Sequence, residues 1–186
     1  MSVIDEIAKL LATAEPPELG TGPRAGVQPA APLTRTLDDL FRRNKLPHQR
    51  QQLIRALILL WHDHLDAAHV ISQDIEGADG SFVHGIVHRR EPDYSNARYW
   101  FHRVGNHAAF PEIASRVSDL LAGPTGTELR AKLVPSGEWN ALAFIAACER
   151  GNRPGASGED KRLLREIQAI ESRTLLEWFG GEADGK

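Results

Sequence analysis

HQRQQLIRALILLWHDHLDAAHVISQDIE, residues 48–76, is the stretch that decides the fold. It contains no proline or glycine, and its apolar side chains recur at helical spacing. The apolar residues of its first half are Leu53, Ile54, Leu57, Ile58, Leu60 and Trp61. They cover an arc too wide for a surface helix, so the pattern predicts a helix that is buried on several sides. Such a helix serves either as a domain core or as half of a homodimer interface.

Further helical patterns lie on both sides of this stretch. They occupy residues 36–44, 111–121, 136–150 and 157–180. Only Phe82–Val87 alternates like a strand, and it has no partner strand in the sequence, so we assign it to a helix. The predicted fold class is therefore all-α, with antiparallel helical hairpins arranged as a repeat-like stack or as an irregular helical bundle.

Composition shifts divide the chain into four parts. Ser2 and Asp5 form a plausible capping pair for an N-terminal helix over residues 1–14. Residues 15–34 are rich in proline and glycine and predict a solvated linker. An all-helical domain is expected over 35–180, followed by a flexible tail over 181–186.

Composition also excludes several classes of protein. The 22 Lys and Arg against 25 Asp and Glu give a net charge of −3, whereas binding to a phosphate backbone requires an excess of basic residues. The single cysteine, Cys148, excludes an internal disulfide and a cysteine-built zinc site. Asp5 and Glu6 are unlike a secretion signal, and the apolar run Ala56–Trp61 is too short to span a membrane. We expect a cytoplasmic protein with no nucleic-acid or membrane partner.

Four residues carry a resemblance to a known repeat. Gly85, Tyr94, Ala97 and Phe101 stand at the spacings of the tetratricopeptide repeat, which the region 48–111 resembles. The resemblance implies antiparallel helices that approach closely at small residues, and a scaffold that binds a protein segment. The block from 61 to 105 also resembles a family of uncharacterised microbial proteins, which implies no activity.

Histidines are concentrated in one part of the chain, since seven of the eight lie between His62 and His107. On one predicted helix His62, Asp66 and His69 are spaced i, i+4, i+7, and on the next helix His84, His88 and Glu91 repeat that spacing. Each set therefore shares a helix face. In an antiparallel hairpin that turns near residues 77–80, His69 is expected close to His88, and Asp66 close to Glu91 or Arg90.

Imidazoles and carboxylates in this arrangement suit a divalent transition metal, either zinc, manganese or iron. The candidate ligands are His62, Asp66, His69, His84, His88 and Glu91. The alternative interpretation is a network of buried polar residues that satisfy one another across helices.

A second candidate surface combines basic and aromatic residues. It comprises Arg89, Arg90, Arg98, Trp100, His102 and Arg103. Arginine and aromatic side chains are frequent anchors in interfaces, so this surface would receive a protein segment or a small acidic ligand. Because the chain has no phosphate-binding loop or nucleophile motif, we favour a non-catalytic binding module without a cofactor. The alternative is a metal-dependent hydrolase or oxygenase with its site between two helices.

Overall fold

The fold is entirely helical, as the hydrophobic periodicity predicted. The computed structural model describes residues 2–181, which contain ten α-helices, three short 3-10 turns and no strand. The helices are α1 (Val3–Ala8), α2 (Ala30–Asn44), α3 (His48–Trp61), α4 (Leu65–Ser72), α5 (Gly77–Arg90), α6 (Tyr94–Val104), α7 (Phe110–Leu120), α8 (Thr127–Leu133), α9 (Ala141–Gly151) and α10 (Gly158–Gly180). The 3-10 turns are Lys9–Leu11, Pro124–Gly126 and Pro135–Gly137. None of these helices is long and apolar enough to cross a membrane.

α3 lies at the centre of the core, as its wide apolar arc predicted. From Leu53 to Trp61 every residue except Arg55 is buried. The helix packs against α2, α4, α5 and α10. Fully burying one aliphatic side chain is worth about 1.5–3 kcal/mol. The apolar arc is thus covered within a single chain.

α5 and α6 form an antiparallel hairpin with a short connection over residues 91–93. α5 is buried on all sides from Gly80 to Arg90. A Cβ atom at Gly85 would lie 2.7 Å from the ring of Phe101, so a larger residue would force the two helices apart. The close approach places the first turn of α6 beside the last turns of α5.

The segment before α2, residues 12–29, is packed against the domain, and we call it the N-terminal strap. The expectation of a solvated linker is wrong, because Leu19 is fully buried and the Arg24 guanidinium pairs with the Asp63 carboxylate at 2.7 Å. The following helix begins at Ala30, earlier than the boundary near residue 35. Of the predicted tail, residues 182–186 lie outside the described residues.

The strap packs through its backbone. Its carbonyl groups accept hydrogen bonds from side chains of the helices: Gln168 donates to Glu18 O at 3.0 Å, and Arg90 donates to Gly20 O at 3.2 Å. Buried backbone carbonyls require such partners. An extended segment with few apolar side chains is therefore held by long-range polar contacts.

Two consecutive arginines at the end of α5 are buried, which corrects the prediction that they lie on a ligand surface. Arg89 is 0 % exposed and pairs with Glu171 of α10 at 2.5 Å. Arg90 is 1 % exposed and pairs with Asp63 at 2.6 Å. Because both guanidinium groups are neutralised inside the domain, they serve to hold α5 to α10 and to the corner between α3 and α4.

Replacing Arg89 by Met would leave Glu171 as a buried charge without its partner, and we expect the free energy of unfolding to fall by about 3–5 kcal/mol. The double variant Arg89→Met/Glu171→Met removes both charges and should recover much of that loss. Urea denaturation measures both effects. Arg116→Met is the control, since Arg116 pairs with Glu112 and Glu177 at the surface and should cost at most about 1 kcal/mol. Equal losses for Arg89→Met and Arg116→Met would contradict this interpretation.

Candidate metal centre

Three histidines from two helices converge beside the end of α5. His69 projects from α4, while His84 and His88 lie one turn apart on α5. The Nε2 atoms of His69 and His84 are 3.0 Å apart, and so are those of His84 and His88. One ring nitrogen from each residue lies within 4.8 Å of the others. These three of the six predicted ligands therefore share one site.

Glu91 lies behind the converging rings, at the C-cap of α5. Its Oε1 is 3.0 Å from Nδ1 of His69, and its Oε2 is 3.3 Å from Nδ1 of His88. An ionised carboxylate only accepts hydrogen bonds, so the Nδ1 atoms of both histidines carry the protons. The Nε2 lone pairs of His69 and His88 consequently point away from Glu91 and toward His84.

This tautomer arrangement leaves the centre rich in lone pairs. A proton on Nε2 of His84 cannot form a full hydrogen bond to both neighbouring Nε2 atoms, those of His69 and His88, at the same time. In addition, Nδ1 of His84 is buried without a hydrogen-bond partner among the described residues. A divalent cation satisfies all three Nε2 atoms at once. Tetrahedral zinc, with Zn–N bonds of about 2.0–2.1 Å, places its ligand nitrogens about 3.3 Å apart. Two of the three Nε2 pairs, at 3.0 Å, are close to that value, and the ring nitrogens of all three histidines lie within 4.8 Å of one another.

The electrostatics of the site favour the neutral form of His84 and His88. Burial, together with the neighbouring His88 and His69, lowers the pKa of His84 to about 4. Burial also lowers the pKa of His88, although Glu91 acts in the opposite direction. Neutral imidazole is the form that binds a metal ion. At pH 7 these two rings are therefore neutral, and each has one nitrogen that can bind an ion.

Two residues of the predicted ligand set do not join the cluster. His62 is fully buried, its Nδ1 accepts from Gln28 N at 3.1 Å, and its Nε2 donates to Leu10 O at 2.8 Å. One ring nitrogen thus holds the N-terminal strap and the other holds the 3-10 turn Lys9–Leu11, which removes His62 from the ligand set. Asp66 is exposed on α4 and makes no hydrogen bond to the cluster residues. The predicted proximity of Asp66 to Glu91 or Arg90 is not found.

The register of the α4–α5 hairpin also differs from the prediction. The connection covers residues 73–76, ahead of the expected turn at 77–80. His69 nevertheless lies against both α5 histidines, with ring centroids 4.7 Å from His84 and 4.8 Å from His88.

α6 contributes two neighbours of the cluster. The Asn96 Nδ2 atom lies 3.2 Å from Nε2 of His88 and 3.4 Å from its Nδ1. The Trp100 ring packs on the ring of His84 with centroids 4.1 Å apart. Asn96 is absent from the predicted site. The sequence could have predicted this contact, because Asn96 and His88 are equidistant from the turn at residues 91–93 and therefore face each other in an antiparallel hairpin.

The remaining residues of the predicted ligand surface lie along α6. His102 and Arg103 are exposed, and Trp100 is half-buried. The Arg103 guanidinium lies 5.4 Å from the Trp100 ring centroid. Arg98 is half-buried and pairs with Glu149 at 2.5 Å. This part of the predicted surface therefore remains open to solvent, while Arg89 and Arg90 do not contribute to it.

Comparison with known proteins gives no further guide to the site. No protein-family model, no curated protein and no solved structure matches the chain.

Replacing Glu91 by Gln should weaken metal binding without abolishing it. The amide keeps one acceptor oxygen, so only one of the two Nδ1–H groups of His69 and His88 retains its partner. Loss of such a supporting contact typically costs 10–100-fold in metal affinity, and we expect a change of that size in a zinc-competition titration. Asp66→Asn removes the same charge from a neighbouring exposed position and is the control. Equal weakening by both variants would indicate that only net charge matters.

Proposed function

We propose that this protein binds a divalent transition metal ion, with zinc as the best fit, through Nε2 of His69, His84 and His88. The observation that carries the proposal is the carboxylate of Glu91, which contacts Nδ1 of two of these rings and leaves their Nε2 atoms on the side where the three histidines converge. Histidine ligands in zinc sites ordinarily donate their second N–H to a carboxylate or carbonyl. A purely structural polar network has no need for three facing lone pairs.

The donor set favours zinc over non-haem iron. Iron oxygenase sites use two histidines and one carboxylate as direct ligands. Here the carboxylate of Glu91 is engaged with ring nitrogens, and the three direct donors are neutral imidazoles. Three protein nitrogens with one free coordination position are typical of catalytic rather than structural zinc. Among the two enzyme alternatives, the geometry therefore supports a hydrolase over an oxygenase.

Metal binding is tested by elemental analysis of the tag-free protein, purified without chelators and then equilibrated with zinc. We expect about one zinc ion per chain, and His84→Ala/His88→Ala should lower this to background. His102→Ala is the matched control, because His102 is exposed on α6 and outside the cluster. Zinc at about 100 times its Kd should also stabilise the native protein by about 2.7 kcal/mol. A folded wild-type protein that takes up no zinc, cobalt, manganese or iron would refute the proposal.

A non-catalytic binding role is the second candidate function. Tyr99 is 54 % exposed, and the Arg103 guanidinium lies 5.9 Å from its ring centroid. An exposed aromatic ring beside an arginine supports docking of an acidic protein segment. The contact between Gly85 and Phe101 supports, in the same proposal, a tetratricopeptide-like hairpin as the scaffold.

This second role predicts that Tyr99→Ala/Arg103→Ala weakens binding of a fluorescein-labelled glutamate-rich peptide by more than about tenfold, as interface hot spots do. Fluorescence anisotropy measures the affinity. His84→Ala should leave peptide binding unchanged, because His84 is buried in the metal centre. A peptide that does not bind the wild-type protein, or binds the double variant equally well, argues against a docking surface on α6.

A further inference from the structure

The metal centre has one side that faces solvent. His84 and His88 are 4 % and 6 % exposed, whereas the side chains of His69 and Glu91 are 29 % and 25 % exposed. Three protein donors leave the fourth position of a tetrahedral ion without a protein ligand. We expect water and a small molecule to reach that position past His69, the most exposed of the three histidines.

Asn96 is placed to contact whatever fills the fourth position. Its Nδ2 lies 3.2 Å from the ligating nitrogen of His88. Since a Zn–N bond measures about 2.0–2.1 Å, the amide nitrogen lies at most about 5.3 Å from the ion. A donor to a zinc-bound water, with hydrogen bonds near 2.9 Å, lies about 4 Å from the ion. The backbone N–H of Asn96 donates to Asp93 Oδ1 at 3.1 Å, which fixes the residue in the first turn of α6.

We propose that a solvent-derived hydroxide occupies the fourth position, that Asn96 orients it through an Nδ2–H donor, and that the centre hydrolyses uncharged carboxylic esters. The inference rests on the proposed metal centre and adds to it a reaction and a positioning residue. Zinc lowers the pKa of its bound water to about 7, so the nucleophile exists at neutral pH.

The charges around the centre favour an uncharged ester over a phosphate ester. The arginines closest in sequence to the cluster are neutralised, since Arg89 pairs with Glu171 and Arg90 with Asp63. Glu91 contributes a negative charge directly behind the rings. A phosphate dianion would meet this carboxylate, and neither Arg89 nor Arg90 is free to hold it, whereas a carbonyl group needs only polarisation by the ion.

The reaction is balanced with water as the co-reactant. The bound water releases one proton to solvent, and the resulting hydroxide oxygen forms a bond to the carbonyl carbon. The bond from that carbon to the alcohol oxygen then breaks, and the alcohol oxygen leaves with the electron pair and takes up the proton that remained on the attacking hydroxide. The products are a carboxylate and an alcohol, and the ion is unchanged. Asn96 is a positioning residue in this scheme, because its amide contacts the nucleophile and not the ester.

The test uses the full chain loaded with one equivalent of zinc, and p-nitrophenyl acetate as the probe. We expect hydrolysis faster than with metal-free protein or the same concentration of free zinc. Asn96→Ala and Asn96→Asp both lack the donor, and each should retain one zinc ion while kcat/KM falls by about 10–100-fold. Asn106→Ala, at an exposed asparagine beyond α6, is the matched control and should remain as active as the wild type.

A second readout follows the fourth position directly. In the cobalt-loaded protein, azide should change the visible absorption spectrum, because an open position exchanges its ligand. Zinc uptake without ester hydrolysis, or full activity in Asn96→Asp, would overturn the inference and leave the metal centre intact. Faster hydrolysis of p-nitrophenyl phosphate than of the acetate would overturn the substrate class. Absence of zinc from the folded wild-type protein would overturn the metal centre itself.

Discussion

The burial of the polar end of α5 is the constraint on which the rest of the structure depends. His84, His88, Arg89 and Arg90 are each at most 6 % exposed, and a buried polar or charged group is tolerated only when it is partnered. Arg89 finds its partners on α10, and Arg90 finds its partners on the strap and at the α3–α4 corner. The histidines turn toward α4. One helical end therefore determines how three other parts of the chain are arranged.

These pairings also set the charge of the metal centre. Unpaired guanidinium groups of Arg89 and Arg90, which follow His88 directly in α5, would repel a cation at the histidines, since like charges interact strongly in a medium of low dielectric constant. Glu171 and Asp63 neutralise them at 2.5 and 2.6 Å. Glu91 is then the carboxylate that contacts the histidines, through Nδ1 of His69 and of His88. The structural ion pairs thus make the neighbouring site compatible with a divalent cation.

Helical spacing was sufficient to predict most of the centre. The i, i+4 relation of His84 and His88 and the position of His69 on the preceding helix follow from periodicity. Glu91, predicted as a ligand close to Asp66, instead contacts Nδ1 of two of the histidines. The position of the α4–α5 turn could not be predicted from periodicity, because helix boundaries depend on local capping that periodicity does not specify. His62 has the same residue type and spacing as a ligand, yet its partners lie 34 and 52 residues away.

The strap and the buried arginines show why the remainder was beyond the sequence. Composition identifies a segment that lacks apolar side chains, but it carries no information on carbonyl acceptors for distant donors. Arg89 and Glu171 are 82 residues apart, and no local pattern distinguishes a buried arginine from an exposed one. Both errors have the same origin, since long-range polar pairing is decided by packing after the helices have formed.

The centre also links metal binding to the stability of the fold. Its ligands come from α4 and α5, and the amide of Asn96 on α6 lies against one of them. Without an ion, the Nε2 atoms of the three histidines face one another with too few protons to pair every lone pair, which is unfavourable for the folded state alone. An ion that binds only the native arrangement stabilises it in proportion to RT ln(1 + [L]/Kd). An ion at the three histidines would therefore also hold α4 and α5 together.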